Sequence, residues 1–171
     1  MNLKRTLVII LVTLTAALAV REYAYTPMYI ASESMAPTLY VGQRLMLDRM
    51  VFRFRAPARG EIIVFHSPVG EDHESVKRVI GVPGDTVEIK NKEVRVNGER
   101  LLETYAQHTR PDEALDGDNI GPLTVPPGGL FVLGDNRDNS GDSATWKDPA
   151  TGQKFYFLQL SAVTGKIRGI Y

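Results

Sequence analysis

The chain has 171 residues, with 20 Lys and Arg against 20 Asp and Glu, so no net charge favours nucleic acid or another polyanion as a partner. It contains no Cys, which excludes disulfides, thiolate catalysis and Cys-based zinc sites. The length fits one compact domain of roughly 100 to 150 residues with an additional segment. Any nucleophile of this protein is therefore an oxygen or an amine.

The N-terminal residues differ in composition from the rest and predict a membrane segment. The basic pair Lys4-Arg5 precedes an uncharged, mainly apolar run over residues 6–20. As a helix this run is about 22 Å long, whereas a hydrocarbon layer is about 30 Å thick, so flanking residues must help it to span. Three tyrosines are expected at the level of the lipid headgroups, namely Tyr23, Tyr25 and Tyr29.

Two interpretations of this segment remain open. It is either a retained anchor or a removable signal peptide, for which Ala17-Leu18-Ala19 is a small-residue cleavage site. Both interpretations predict that the basic end stays in the cytoplasm and that the residues after about Tyr23 are exported. We therefore expect a membrane segment at residues 1–25 and an exported domain at residues 26–171.

From Ile30 onward the apolar runs are short, β-branched and punctuated by Gly and Pro, which predicts a mainly β domain. Asn97-Gly98 predicts a type I′ hairpin, because both turn positions require positive φ. The polar stretch Glu103–Leu123 has no clear period and is expected to be a variable insertion or long surface loop. The predicted strands are Arg44–Asp48, Glu61–His66, Ser75–Gly81, Thr86–Lys90, Glu93–Val96, Leu130–Leu133 and Thr164–Ile170.

Three segments carry more polar side chains than a β domain needs beside its apolar strands. Each one alone has an ordinary explanation: a turn, a strand lysine whose ammonium reaches solvent, and a solvated loop. Together, in this order, they resemble the motifs of the signal peptidase I family. They are Ser34-Met35-Ala36-Pro37-Thr38, Lys77-Arg78-Val79-Ile80-Gly81-Val82-Pro83-Gly84-Asp85 and Gly134-Asp135-Asn136-Arg137-Asp138-Asn139-Ser140-Gly141-Asp142-Ser143.

The resemblance implies a mainly β, antiparallel-sheet catalytic domain behind one N-terminal transmembrane helix in a bacterial cytoplasmic membrane, and it favours the retained anchor. It also implies a serine endopeptidase on the exported side of the lipid bilayer, which removes signal peptides from secreted preproteins after a small-x-small (Ala-x-Ala) motif. Such chemistry requires no metal or organic cofactor. The histidines show no metal-ligand spacing, namely His66, His73 and His108.

The resemblance assigns Ser34 as the nucleophile and Lys77 as the general base. A lysine can act as a base near neutral pH only if its pKa falls well below about 10.4, which burial achieves. The resemblance also implies that Ser32 and the Ser34 N–H stabilise the oxyanion and that a hydrogen bond from Ser140 orients the lysine. Residues expected to maintain the loop structure are Arg78, Asp135 and Asp142. Residues expected to line a substrate pocket are Ile30, Met35 and Val76.

The sequence departs from the family pattern at two places. Ala144 stands where the family usually has an arginine that pairs with the acid at Asp142, so Arg78 or Arg137 is a candidate replacement partner. Ala31 and Glu33 replace the Pro and the small residue that usually precede the nucleophile, and they alter the expected substrate contacts.

Two other functions remain open at this stage. One is a specialised maturation peptidase of a pilin or conjugation system, which would share the same chemistry. The other is a catalytically inert, membrane-tethered β domain used for binding. Self-cleaving repressors also use a Ser-Lys pair, but this chain begins with a membrane segment and lacks a helix-turn-helix region.

Overall fold

The computed structural model describes residues 2–70 and 73–170, and within them the protein is built mainly from antiparallel β-strands. Two short 3₁₀ helices, Val51–Arg53 and Leu160–Ala162, interrupt the strands. The main elements are α1 (Leu3–Ala24), β1 (Tyr25–Tyr29), β2 (Arg44–Asp48), β3 (Ile62–His66), β4 (Glu74–Gly81), β5 (Thr86–Lys90), β6 (Glu93–Val96), β7 (Glu99–Arg100), β8 (Ile120–Thr124), β9 (Gly129–Leu133), β10 (Leu158–Gln159) and β11 (Val163–Ile170).

Helix α1 forms over the segment for which a membrane helix is expected. Among the described residues, no helix combines the length and the apolar character needed to cross a membrane. The end of α1 is tied to the β domain, because Arg49 N donates a 2.9 Å hydrogen bond to Ala24 O. Many large apolar side chains of α1 are more than half exposed: Leu3, Leu7, Val8, Ile9, Ile10, Leu11, Val12, Leu14 and Leu18.

Two antiparallel sheets make up the β domain. The larger has the strand order β1-β2-β11-β3-β4-β9-β10, and the smaller has the order β7-β6-β5-β8. Strand β4 pairs with β3 from Glu74 to Arg78 and with β9 from Arg78 to Gly81. Among the described residues, the Glu74–Lys77 half of β4 therefore has a neighbouring strand on one side only.

The predicted strands are confirmed, each within one residue at either end. The hairpin is also confirmed, since Val96 pairs with Glu99 and the intervening Asn97 and Gly98 have φ of 55° and 83°. Strands β1, β8 and β10 were not predicted, and β7 was expected only as the second arm of this hairpin. Strand β1 contains Pro27, which an edge strand tolerates because, among the residues that the structure describes, one of its sides has no partner strand.

The prediction that Glu103–Leu123 is a surface loop is wrong for its last residues. Ile120 and Leu123 belong to β8 and pair with Ile89 and Val87 of β5. Ile120 is buried in the core of the smaller sheet. Because Gly121-Pro122 separates the two apolar residues, the sequence has no alternating pattern that would reveal the strand.

A small apolar cluster supports the first motif. Met35 and Leu39 are each only 1% exposed and pack with Ile30 and Leu45. Burial of side chains of this size stabilises a fold by about 1.5 to 3 kcal/mol each. The turn that carries Ser34 is therefore stabilised by apolar side chains that pack against strands of the larger sheet.

Candidate active site

Ser34 and Lys77 meet at the centre of the site. Lys77 lies in β4 and Ser34 in the turn region that follows β1. Lys77 Nζ donates a 2.8 Å hydrogen bond to Ser34 Oγ, and the two residues are 5% and 8% exposed. A hydroxyl and an amine at this distance can exchange a proton directly.

Burial controls the protonation of Lys77. It lowers the pKa of this lysine below its usual value, while the carboxylates of Asp142 and Asp135 act in the opposite direction. On the neighbouring strand Lys77 pairs with Ile63, which is completely buried. The additional hydrogen bond from Nζ to Val76 O, at 3.1 Å, fixes the direction of the side chain.

Ser32 lies next to Ser34 in space as well as in sequence. Its Oγ is 3.2 Å from Ser34 Oγ. Ser34 O accepts a 3.0 Å hydrogen bond from Asn136 N, so the backbone at Ser34 is fixed to the loop after β9. The Ser34 N–H donates to no acceptor within the described part of the chain. The Ser32 hydroxyl and the Ser34 N–H thus remain as donors for a developing oxyanion.

Asp142 does not pair with Arg78 or with Arg137, so both candidate replacements for the family arginine are wrong. Its carboxylate instead accepts hydrogen bonds from Gly134 N at 2.9 Å and from Ala144 N at 3.0 Å. Burial raises the pKa of Asp142, and these backbone donors oppose that rise. The acid expected to need an arginine is therefore held by main-chain groups.

Other parts of the protein pack closely around Ala144. Ala144 is buried in the core of the smaller sheet. The backbone at Gly117 lies against it, and a Cβ at Gly117 would be 2.9 Å from the Ala144 Cβ. The segment predicted as an insertion therefore packs where a longer side chain at position 144 would have to fit.

Ser140 is near the pair formed by Ser34 and Lys77, called the dyad below, but it makes no hydrogen bond to Lys77, so the expected bond is absent from this structure. Its Oγ is buried and has no hydrogen-bond partner in the described residues. The hydroxyl nevertheless lies near enough to Asp142 to help lower the pKa of that carboxyl. A Cβ on Gly134 would be 2.3 Å from Ser140 Oγ and 2.5 Å from Ser34 O, so only glycine fits between them.

The segment after β7 contacts and stabilises the loop after β9, a role that the sequence did not reveal. Arg137 Nη1 donates to Glu103 Oε2 at 2.7 Å, and both side chains are at most one-tenth exposed. The Arg78 guanidinium lies 3.9 Å from the centre of the Tyr105 ring. Gln107 N donates to Asp135 O at 2.8 Å, which adds a main-chain contact.

Two pockets open beside the dyad. A small one of about 130 Å³ includes all three residues predicted for substrate binding, namely Ile30, Met35 and Val76. A larger one of about 620 Å³ extends past Glu33 and Ser140. Ser34 and Lys77 line both pockets. An extended chain bound across the dyad would therefore reach into each of them.

Known proteins are similar to this chain in sequence and in architecture. A sequence model of the family described as signal peptidase, peptidase S26, matches residues 3–171. A signal peptidase I of Bacillus amyloliquefaciens is 35% identical over 164 residues, covering 90% of this chain and 87% of the relative. A probable signal peptidase I-1 of Synechocystis is 40% identical over 151 residues, covering 84% and 74%. The crystal structure of a signal peptidase I from Enterococcus faecalis is similar with a TM-score of 0.50 and 31% identity, covering 67% of this chain and 98% of that one.

Proposed function

The chain belongs to the signal peptidase family, peptidase S26, and from this membership we propose that it removes signal peptides from exported preproteins with Ser34 as nucleophile and Lys77 as base. It is a peptidase of the signal peptidase I type, since relatives of 35% and 40% identity over most of the chain are signal peptidases I. The observation that carries the catalytic assignment is the buried 2.8 Å contact between Lys77 Nζ and Ser34 Oγ.

Acylation begins when the neutral Lys77 amine takes the hydroxyl proton of Ser34. The Oγ attacks the carbonyl carbon of the scissile bond, and the carbonyl oxygen becomes an oxyanion. Ser32 Oγ, 3.2 Å from the nucleophile, and the Ser34 N–H stabilise that charge. One such donor is worth a factor of about 10² to 10³ in turnover.

Collapse of the tetrahedral intermediate breaks the C–N bond. The Lys77 ammonium returns its proton to the leaving nitrogen, and the signal peptide remains as an ester on Ser34. Water then attacks the ester with Lys77 again acting as base. Ser34 is regenerated, and the signal peptide leaves as a carboxylate.

Cleavage after a small-x-small motif is supported by the small apolar pocket. The pocket of about 130 Å³ beside Ser34 is the smaller of the two, and it presents the apolar side chains of Ile30, Met35 and Val76 to a substrate side chain such as that of Ala. The Glu74–Lys77 half of β4 has a free edge among the described residues, so an extended substrate can add to it as a strand. Main-chain hydrogen bonds would then provide affinity, and the pocket would provide selectivity.

Membrane attachment through α1 is part of the same proposal. The exposed apolar side chains of this helix, such as Ile9 and Leu11, are 56% and 65% exposed and gain free energy by entering lipid. Lys4 and Arg5 favour a cytoplasmic N-terminus, which leaves the β domain on the exported side. Attachment would hold Ser34 near the bilayer, where the apolar part of a signal peptide resides.

Topology is tested with a tag at each end of the chain in right-side-out vesicles. Added protease should remove the C-terminal tag and leave the N-terminal tag intact. Removal of both tags, or recovery of the chain in the soluble fraction after breakage of the vesicles, would contradict this arrangement.

Activity is tested with the full chain in detergent and a preprotein that carries Ala-x-Ala before its cleavage site. Wild type should cut after the motif, and Trp at the last position of the motif should block the reaction. Ser34→Ala and Lys77→Met should each lower kcat by at least about 10³-fold. Ser161→Ala and Lys90→Met remove the same groups at exposed positions and serve as matched controls.

Failure of a folded wild-type protein to cleave would contradict the proposed function. It would favour a specialised maturation peptidase if another exported protein is cut. It would favour an inert tethered β domain if Ser34 also resists acylating reagents. Cleavage by Lys77→Met at the wild-type rate would overturn the assignment of the base.

A further inference from the structure

The two pockets beside the dyad differ in size and polarity. The smaller lies on the Ile30 and Met35 side of Ser34, where apolar side chains stand beside polar ones, and its carboxylate, Glu74, is paired with Arg49. The larger lies on the side of the loop after β9 and includes Glu33 and Asn139. A scissile bond at Ser34 has its acyl part on one side and its leaving part on the other. If the small pocket takes the acyl side, as proposed above, the leaving part enters the large pocket.

Most charged side chains of the large pocket already have an oppositely charged partner. Lys77 is an exception, and burial lowers its pKa and so reduces its charge. The ion pairs are Asp138 with Lys92, Arg137 with Glu103, Asp116 with Lys147 and Lys154, and Arg110 with Glu113.

Glu33 is the carboxylate of this pocket that has no cationic partner among the described residues. Its side chain is exposed, and the contact that it makes is a 3.5 Å hydrogen bond from Asn139 Nδ2. Its backbone is fixed, because Glu33 O accepts hydrogen bonds from Ala36 N at 3.0 Å and from Asn136 Nδ2 at 3.3 Å. An uncompensated negative charge is therefore held one residue before the nucleophile.

We infer that Glu33 is a specificity-determining residue that favours substrates with Lys or Arg in the first two positions after the cleaved bond. This inference rests on the proposed function and adds a requirement on the mature end of the preprotein. A lysine or arginine there would face the carboxylate across solvent, and an acidic residue would be repelled. Pairs of exposed charges of this kind correspond to about two- to fivefold in an equilibrium or rate ratio.

The test uses preproteins that are identical up to Ala-x-Ala and differ only at the first two positions that follow, with Lys-Lys, Gln-Gln or Glu-Glu. For wild type, kcat/KM should fall about three- to tenfold from Lys-Lys to Glu-Glu at low ionic strength. The ratio should approach one for Glu33→Gln and reverse for Glu33→Lys. Glu99→Gln, at an exposed position in β7, makes the same change in net charge outside the pocket and should keep the wild-type ratio.

Salt provides a test on wild type that needs no variant. At about 1 M ionic strength the screening length is about 3 Å, so the Lys-Lys to Glu-Glu ratio should shrink toward one. Equal ratios for wild type and Glu33→Gln, or a ratio that salt leaves unchanged, would overturn the role of Glu33 while signal peptide cleavage stands. Absence of cleavage for all three preproteins would instead overturn the proposed function, and this inference with it.

Discussion

The guanidinium of Arg78 and the carboxylate of Asp135 form a two-pronged ion pair, with Nε 2.9 Å from Oδ1 and Nη2 2.6 Å from Oδ2. Arg78 follows Lys77 in β4, and Asp135 begins the loop that carries Ser140. The Asp135 side chain has no exposed area, and that of Arg78 is 11% exposed. The pair therefore joins the strand of the proposed base to the loop beside it.

Removal of the guanidinium should destabilise the protein strongly. In Arg78→Ala the Asp135 carboxylate stays buried without its partner, which typically costs about 3 to 5 kcal/mol. Urea unfolding followed by tryptophan fluorescence measures this, because Trp146 lies in the core of the larger sheet. Arg100→Ala is the matched control, since Arg100 pairs with Glu93 at the surface with 68% of its side chain exposed. Its loss should stay below about 1 kcal/mol, and equal losses for the two variants would contradict the importance of burial.

The activity should depend on the titration of Lys77. Burial lowers the pKa of this lysine below its ordinary value of 10.5, against the effect of Asp142 and Asp135. Only the neutral amine can accept the Ser34 proton, so kcat/KM should rise with pH and level off above the lowered pKa. A pH profile with the Ala-x-Ala preprotein measures this. A rate that falls as the pH rises from neutrality, or one that rises only near pH 10.5, would contradict a buried lysine base.

Local patterns made most strands predictable. Short β-branched runs bounded by Gly and Pro indicate the strands that pair on both sides. Asn97-Gly98 indicates its hairpin because Asn and Gly are among the few residue types that adopt the positive φ required at both turn positions. Strand β1 escaped notice because it contains Pro27 and directly follows a helix. The motif residues Ser34 and Lys77 could be paired in advance only through the family resemblance, since 43 positions separate them.

The supporting contacts of the loop could not be predicted because they join distant residues. Glu103 and Arg137 are 34 positions apart, and neither belongs to a periodic pattern. The space near Ala144 is likewise taken by Gly117, whose small size has meaning only once the two segments are packed. The prediction of a hydrogen bond between Ser140 and Lys77 was wrong, because a position in the sequence does not determine the direction of a hydroxyl.

The Glu103–Arg137 pair should contribute both to stability and to turnover. Glu103→Gln leaves the Arg137 guanidinium, 8% exposed, without a counter-charge, at a cost of about 3 kcal/mol. Because Arg137 Nε also donates to Gly134 O at 3.0 Å, loosening it should shift the loop and lower kcat more than it raises KM. Steady-state kinetics and urea unfolding measure these effects. Glu113→Gln, at a 59% exposed position, is the control, and a comparable loss in that variant would contradict a brace specific to Glu103.

Gly134 should tolerate no side chain. In Gly134→Ala the new methyl group would lie 2.3 Å from Ser140 Oγ and 2.5 Å from Ser34 O, so Ser34 or the loop must move. A displacement of about 1 Å at a catalytic group costs about 10²-fold in rate, and we expect kcat to fall by at least that factor. In Gly121→Ala the added methyl group meets no atom within 4 Å, so this variant should retain activity. Near-wild-type turnover by Gly134→Ala would show that the loop can shift without disturbing Ser34.

Ser140→Ala separates a positioning role from a structural one. Its Oγ is buried without a hydrogen-bond partner in the described residues but helps to lower the pKa of the buried Asp142 carboxyl, so its removal should change the unfolding free energy by no more than about 1 kcal/mol in either direction. The hydroxyl lines the pocket of Ser34 and Lys77, and if it orients the amine during the reaction, turnover should fall by about 10- to 100-fold, less than in Lys77→Met. The pH profile of the variant should also shift, because the polar neighbour of the amine has changed.

Ser140→Thr retains the hydroxyl and should recover part of the rate. An unchanged kcat and pH profile in Ser140→Ala would remove Ser140 from the catalytic arrangement and leave Lys77 to be oriented by its hydrogen bonds to Ser34 Oγ and Val76 O.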